Sequence, residues 1–334
     1  MTRRLFTAFS AGLMLVAGGL AQPGPALAQS VTIALDSAPD MDGSGTYRWA
    51  TVFSDTLKKE GFEVEAFPLN AIGGEDEKLD QVRSGLLSVS MSDFGRAAQL
   101  VPLMRVIQLP FTFDDPDHQK RFLQKESFLD DVNERMAASN ARVLAVVPTG
   151  GFLGIFNNKH PVTSLADMAD LRMRALDQAQ LATIRMMGSN GVVIPFSEVP
   201  NALQTGIADG YFNAAGVPLL FGHTDLLSYF TDAQFSMSGR VALASADWWD
   251  SLDDDQKASV GRAIDAANED VFAWVDGVSA RQIDELEKAG FEVTELTPET
   301  RQDFIEALSD MRDTVVDVAP ADVAKVMQAV DATR

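Results

Sequence analysis

Arg174 is the residue of this chain whose type and setting most clearly demand a chemical partner. It lies in Asp170-Leu-Arg-Met-Arg-Ala175, alternating with Leu171, Met173 and Ala175 in a short strand-like piece, which directs it into a protein crevice rather than freely into water. A guanidinium stays protonated, offers a planar fork of donors that fits a carboxylate, and is costly to bury unpaired. A ligand carboxylate is its natural completion; the competing reading is a structural ion pair with one of the 48 acidic side chains. Arg172, two positions earlier, shares that face only if the piece is extended, so one of the two arginines is expected to point elsewhere. Asn213 ends a strand that starts after Asp209-Gly210, where a side-chain amide can bond a ligand oxygen. Phe196, following Pro195 at another strand end, reads equally as an apolar wall or as core. Tyr47, Ser92, Asp93, Phe94, Phe111 and Phe152 fall at loop positions expected to border a cleft.

Bond-making machinery is poorly supplied. His118, His160 and His223 lie in loop-like or amphipathic settings without metal-ligand spacing, which reads as surface. The acidic clusters Glu75-Asp-Glu77 and Asp253-Asp-Asp255 open helices, where carboxylates complement the macrodipole. The chain carries no Gly-x-Ser-x-Gly elbow, no phosphate-cradling Gly-rich loop and no dinucleotide fingerprint after a strand. Neither a metal nor a cofactor is expected.

The elements that must position these residues alternate between strand and helix. Val31–Leu35 reads as a strand, Trp49–Glu60 as a helix ended by Gly61, Phe62–Phe67 as a second strand, Glu75–Ser84 as a helix and Leu87–Met91 as a third strand. That order makes a mostly parallel, doubly wound sheet, whose ligands lie outside the carboxyl ends of the strands. Proline keeps Leu109-Pro-Phe-Thr-Phe113 from being helical. Gln119–Ala138 follows as a helical stretch and Arg142–Pro148 as a strand, and Thr149-Gly-Gly151 reads as a hinge. A second lobe opens at Phe152–Phe156, with strands at Arg172–Ala175, Val192–Ile194 and Gly210–Asn213 and helices over Asp177–Met187 and Glu198–Thr205. Ala233–Ser238 and Arg240–Ala244, separated by Gly239, form a second crossing candidate. Asp254–Ala289 is a helical tract that, unbroken, would run about 50 Å and touch both lobes. Thr297–Met327 is helical again and broken at Pro320. The expected organisation is a two-lobed α/β fold: residues 29–151 plus about 240–280 as lobe I, and 152–239 plus about 281–334 as lobe II with C-terminal helices.

Composition bounds the partners. Arg3 and Arg4 precede an apolar run to about Ala21, and Ala26-Leu-Ala28 closes it, the pattern of a secretory signal over residues 1–28 cleaved after Ala28. Thr2-Arg-Arg-Leu-Phe6 also faintly resembles a twin-arginine export signal. No second apolar run of about 20 residues follows, so the mature chain is expected to be soluble. The formal charge of −21 argues against nucleic acid and anionic lipid, whose phosphates need clustered Lys and Arg. The chain has no cysteine, which removes disulfides, thiol nucleophiles, thiolate metal sites and a lipid-anchored cysteine after the signal.

Four motifs together carry a likeness to a known family: the acidic-Leu-x-x-Arg of Asp170–Arg174, the turn Pro195-Phe-Ser-Glu198, Ala202-Leu-Gln-Thr-Gly206, and Asp209-Gly-x-x-Asn213. Val82-Arg-Ser-Gly85, Leu109-Pro-Phe-Thr-Phe113, Pro161-Val-Thr-Ser-Leu-Ala-Asp167, and Trp249 with Leu252 support it. On these the mature chain resembles the solute-binding proteins of tripartite ATP-independent periplasmic (TRAP) transporters. The resemblance implies a periplasmic receptor, monomeric by the family's default, that closes on a small organic acid and hands it to a sodium-coupled membrane permease. It implies no reaction. It also implies that Arg174 clamps the ligand carboxylate and that Asn213 lies at the pocket. Many sialic-acid-type and dicarboxylate-type members have a second arginine about where this chain has Phe152-Leu-Gly154. Its absence favours a monocarboxylate, with an apolar or aromatic body stacking on Phe152 or Phe196. The alternatives are a receptor for an ATP-driven importer, which shares the bilobal plan, and an exported enzyme acting on a carboxylate, which needs an acid/base or metal that the motifs do not supply.

Overall fold

The computed structural model describes residues 29–334 apart from Glu126, Thr314 and Val316, so the expected signal and its cleavage site lie outside the described residues. Eleven strands are, in chain order, β1 (Ser30–Ala34), β2 (Glu63–Phe67), β3 (Val89–Asp93), β4 (Ala141–Phe152), β5 (Gly154–Asn157), β6 (Arg172–Ala175), β7 (Asn190–Val193), β8 (Gly210–Asn213), β9 (Tyr229–Asp232), β10 (Met237–Ser245) and β11 (Glu292–Glu295) among the described residues. They form two sheets, β2-β1-β3-β10-β4 and β11-β9-β5-β8-β6-β7. Each sheet is mostly parallel with one reversed strand: β10 runs against both β3 and β4, and β5 against both β8 and β9.

Those two reversed strands belong to the crossings between lobes. β4 leads directly into β5, and β9 returns through a short loop into β10. Thr149-Gly-Gly151, read from sequence as a hinge, is inside the continuous strand β4, because its backbone pairs with β10 as far as Phe152–Met237. Ser238 stitches the crossing, accepting from Thr149 Oγ1 at 2.7 Å and donating to the Gly151 carbonyl at 2.9 Å. Gly239 does not split two strands either. β10 runs through it with a register shift between Met237 and Gly239, an irregularity that a residue without Cβ accommodates. The segment Ala233–Ser236, expected as part of a strand, is the connecting loop.

The helical stretch expected at Gln119–Ala138 divides into Pro116–Leu123 and Ser127–Met136. The long helix Asp254–Lys288 starts with a reciprocal cap between Asp253 and Gln256 and is broken in conformation at Asp276 and Gly277, the latter at φ 90°. Its first part packs on the helix Gly45–Lys59, where Trp49 Nε1 donates to Asn268 Oδ1 at 2.8 Å. Its last part reaches the second lobe: Gly216 N donates to Gln282 Oε1 at 3.1 Å, and Leu286 joins Phe156, Tyr211 and Phe230 in the core there. The terminal helix Pro320–Asp331, grouped from sequence with the second lobe, lies against the first-lobe segments Pro102–Gln108 and Pro116–Leu123. There His118, expected at the surface, is fully buried, with Nε2 at 3.0 Å from the Val330 carbonyl.

Candidate functional site

A cavity of about 1010 Å³, counting its open mouth, lies between the two sheets. The first lobe supplies Asp36, Ser37, Ser44, Thr46, Asp93 and Phe94 from the end of β3 and the segments that follow β1 and β3. The second supplies Leu153, Arg174, Gln180, Phe196, Asn213 and Leu220, mostly from segments at or beyond β6, β7 and β8. Gly239 and Arg240 of the crossing strand and Gln282 of the long helix complete the wall. The position follows from the parallel strands, whose carboxyl ends leave a crevice where the flanking segments diverge.

Arg174 is 3 % exposed, its Nε donates to the Ile194 carbonyl at 2.8 Å, and its Nη2 is sealed with no hydrogen-bond partner among the described residues. Burial lowers its pKa to about 10, opposed by the negative charge of Asp93; the side chain remains a cation at neutral pH. The Phe196 ring lies beneath the guanidinium at 5.8 Å from its centroid and is itself held edge-on by Phe221. His223, a third histidine read as surface, is 3 % exposed; it stacks near Phe196, and its Nδ1 pairs with the Tyr211 hydroxyl at 3.1 Å. Arg172 takes the other course: it is half-exposed and pairs with Asp209 at 3.1 Å, whose carboxylate also accepts from the Arg172 backbone N–H.

Of the residues singled out from sequence, Arg174, Asn213, Phe196, Phe94 and Asp93 line the cavity, and Ser92, Tyr47, Phe111 and Phe152 are not among its lining residues. Ser92 is fully buried, its hydroxyl donating to Ser90 Oγ at 2.9 Å. Tyr47 lies in the first turn of Gly45–Lys59, where its neighbours Thr46 and Ser44 face the cavity. Phe111 packs edge-on against Phe235 at 5.8 Å with Arg301 over its ring, and Phe152 packs with the core around Trp274 while Leu153 takes the cavity wall.

Sequence reasoning missed Arg240 and Asp36. Arg240 is an isolated charge in an apolar strand, the same signal that exposed Arg174; Asp36 is the polar residue just beyond the end of β1. Arg240 pairs with Asp36 at 2.8 Å, Glu75 at 2.6 Å and, closely, Asp93. Glu75 therefore does more than open a helix: it also binds Lys78 at 2.8 Å and accepts from the Asp93 backbone N–H at 2.8 Å. Burial alone would raise the Glu75 pKa, but Arg240 and Lys78 hold it down to about 2, whereas burial prevails at Asp93 and pushes that carboxyl up. Among the described residues no group of three or more His, Asp or Glu side chains could hold a metal ion, and no helix is long and apolar enough to cross a membrane.

Comparison with known proteins adds a family to this geometry. The sequence model of DctP, bacterial extracellular solute-binding protein, family 7, matches residues 37–317. A solute-binding protein of Chromohalobacter salexigens is 28 % identical over 72 % of this chain and 71 % of its own length. The sugar acid binding protein DctPAm of Advenella mimigardefordensis, solved with galactonate, superposes with a TM-score of 0.82 at 22 % identity, covering 92 % of this chain and 99 % of that one. A TRAP periplasmic solute-binding protein of Sulfurospirillum deleyianum, solved with succinate, gives 0.80 at 23 % identity, covering 90 % and 99 %.

Proposed function

Because this chain belongs to the DctP family of extracellular solute-binding proteins, family 7, and is a binding protein rather than an enzyme, we propose that it is a TRAP receptor for an organic acid clamped by Arg174. The observation that carries this reading is the Arg174 guanidinium, desolvated on the cavity wall with Nη2 unpartnered. A buried donor of that kind costs stability unless something accepts from it, and a carboxylate matches its planar fork. Asn213 and Gln180 on the same wall add amides able to bond ligand oxygens, and Phe196 supplies an apolar face. The acids bound by the relatives, galactonate and succinate, agree with a carboxylate in the cleft.

The acid is a monocarboxylate. No arginine stands at Phe152-Leu-Gly154, and the second arginine on the cavity wall, Arg240, is ion-paired with Asp36, Glu75 and Asp93. Ligand contacts on both lobes favour the closed form by their differential affinity, and closure dehydrates the guanidinium–carboxylate pair and strengthens it. The mature chain works in the periplasm as a monomer, after removal of residues 1–28, and delivers its acid to a sodium-coupled permease. A thermal-shift screen of organic acids tests this reading. Binders raise the melting temperature by mass action, and Arg174→Ala removes the shift by weakening binding about 100-fold, the scale of truncating one partner of a buried charge pair. An unchanged shift in that variant contradicts the clamp. Uptake by reconstituted vesicles that runs on ATP rather than a sodium gradient points instead to an ATP-driven importer.

A further inference from the structure

The part of the cavity wall built by the first lobe is chemically the inverse of Arg174. Asp36 follows β1 with its side chain only 6 % exposed; Oδ2 lies 2.8 Å from Arg240 Nε, while Oδ1 is sealed with no hydrogen-bond partner among the described residues. Beside it a row of hydroxyls lines the same cavity, Ser37 Oγ to Ser44 Oγ at 2.7 Å and Ser44 Oγ to Thr46 Oγ1 at 3.1 Å. The Arg174 wall thus holds an orphaned donor, and the Asp36 wall an orphaned acceptor beside Arg240 Nε, which forms an ion pair with Oδ2 but has no hydrogen-bond partner among the described residues.

We propose that Asp36 determines specificity: its Oδ1 accepts a hydrogen bond from a donor on the ligand remote from the carboxylate, so the cleft selects an acid bearing a distal hydroxyl or ammonium group. This rests on the reading that Arg174 holds the carboxylate. A buried carboxylate oxygen without a donor is costly, and a ligand donor relieves that cost. A second ligand carboxylate meets three acidic side chains here, Asp36, Glu75 and Asp93, already balanced against only Arg240 and Lys78, and like charges juxtaposed in such a site repel strongly. A ligand end without polar atoms leaves the Asp36 oxygen unsatisfied.

Calorimetric titration of the purified chain with butyrate, hexanoate and their ω-hydroxy, ω-amino and ω-carboxy counterparts tests the proposal. At the chain length that spans the cleft, the ω-hydroxy or ω-amino acid binds about tenfold or more tighter than the unsubstituted acid, the scale of a hydrogen bond to a charged group, and the ω-carboxy acid binds weakest. The member of the hydroxy and amino pair that gains more identifies the donor. In Asp36→Asn the affinity ratio of the amino or hydroxy acid over the unsubstituted acid falls by about tenfold. If Asp36 serves only to neutralise Arg240, the variant shifts all the acids together, and that result overturns the proposal. Equal affinity of the wild-type chain for the unsubstituted and substituted acids overturns it too, while leaving the carboxylate clamp standing. Absence of binding by every acid overturns the receptor reading and the proposal with it.

Discussion

At the scale of single residues, the proposed clamp sets stability against binding. Arg174 is desolvated with an unpartnered Nη2, so in the unliganded protein it is a liability rather than a support. Arg174→Met, which keeps the volume and removes the charge, is therefore expected to leave the melting temperature of the unliganded protein unchanged or raise it while abolishing binding of the acid. A fall of several degrees, read by differential scanning calorimetry, would mean that the guanidinium is a structural tie. Glu75 makes the opposite contribution. Its carboxyl is held at about 2 in the fold against an ordinary 4.5, so the folded state binds fewer protons, and the stabilisation is complete above about pH 4.5 and lost as pH falls toward 2. Asp93, raised by burial, works in the other sense, gaining stability on acidification. Glu75→Gln is thus expected to lower the melting temperature at neutral pH and to flatten its decline between pH 4.5 and 2, checked by melting curves across that range. An acid limb as steep as that of the wild type contradicts the assignment.

At the scale of elements, the long helix and the two crossings govern how the walls meet. Gly277 occupies φ 90° at the break in Asp254–Lys288, and a Cβ there would meet nothing within 4 Å, so alanine at this position is opposed by backbone strain alone. Gly277→Ala is expected to cost about 1 kcal/mol in unfolding free energy and to change affinity for the acid through the lobe equilibrium. Denaturant titration and calorimetry read the two effects, and a neutral result in both excludes this break from closure. The strands were legible where a charge or turn residue punctuated the pattern: Arg172–Ala175 and Gly210–Asn213 stand where the sequence puts them, each bounded by polar or glycine residues. The places of the crossings were legible but their strand continuity was not, because Gly150, Gly151 and Gly239 carry the local signature of turns, and only long-range pairing between β4 and β10 makes them strand. The same limit hid the burial of His118 and His223 and the pairing of Glu75. Local sequence shows a helix start or a loop, whereas the partners lie far along the chain: Val330 for His118 and Arg240 for Glu75.

At the scale of the whole molecule, a chain of formal charge −21 places Arg174 and Arg240 on the wall of the cavity between its sheets. Arg174 was legible because an arginine alternating with apolar residues implies a crevice, and the family motifs around it agree. Arg240 carried the same signal but serves to organise three carboxylates, a difference that only the fold reveals. On the proposed reading, a ligand that pairs with Arg174 of one lobe and Asp36 of the other stabilises the closed form. The crystal structure of the chain with its tightest-binding acid tests the clamp most directly. The account predicts the ligand carboxylate within hydrogen-bond distance of the Arg174 guanidinium, with the Phe196 ring alongside. A carboxylate seated elsewhere, with Arg174 still bonded only to the Ile194 carbonyl, contradicts it.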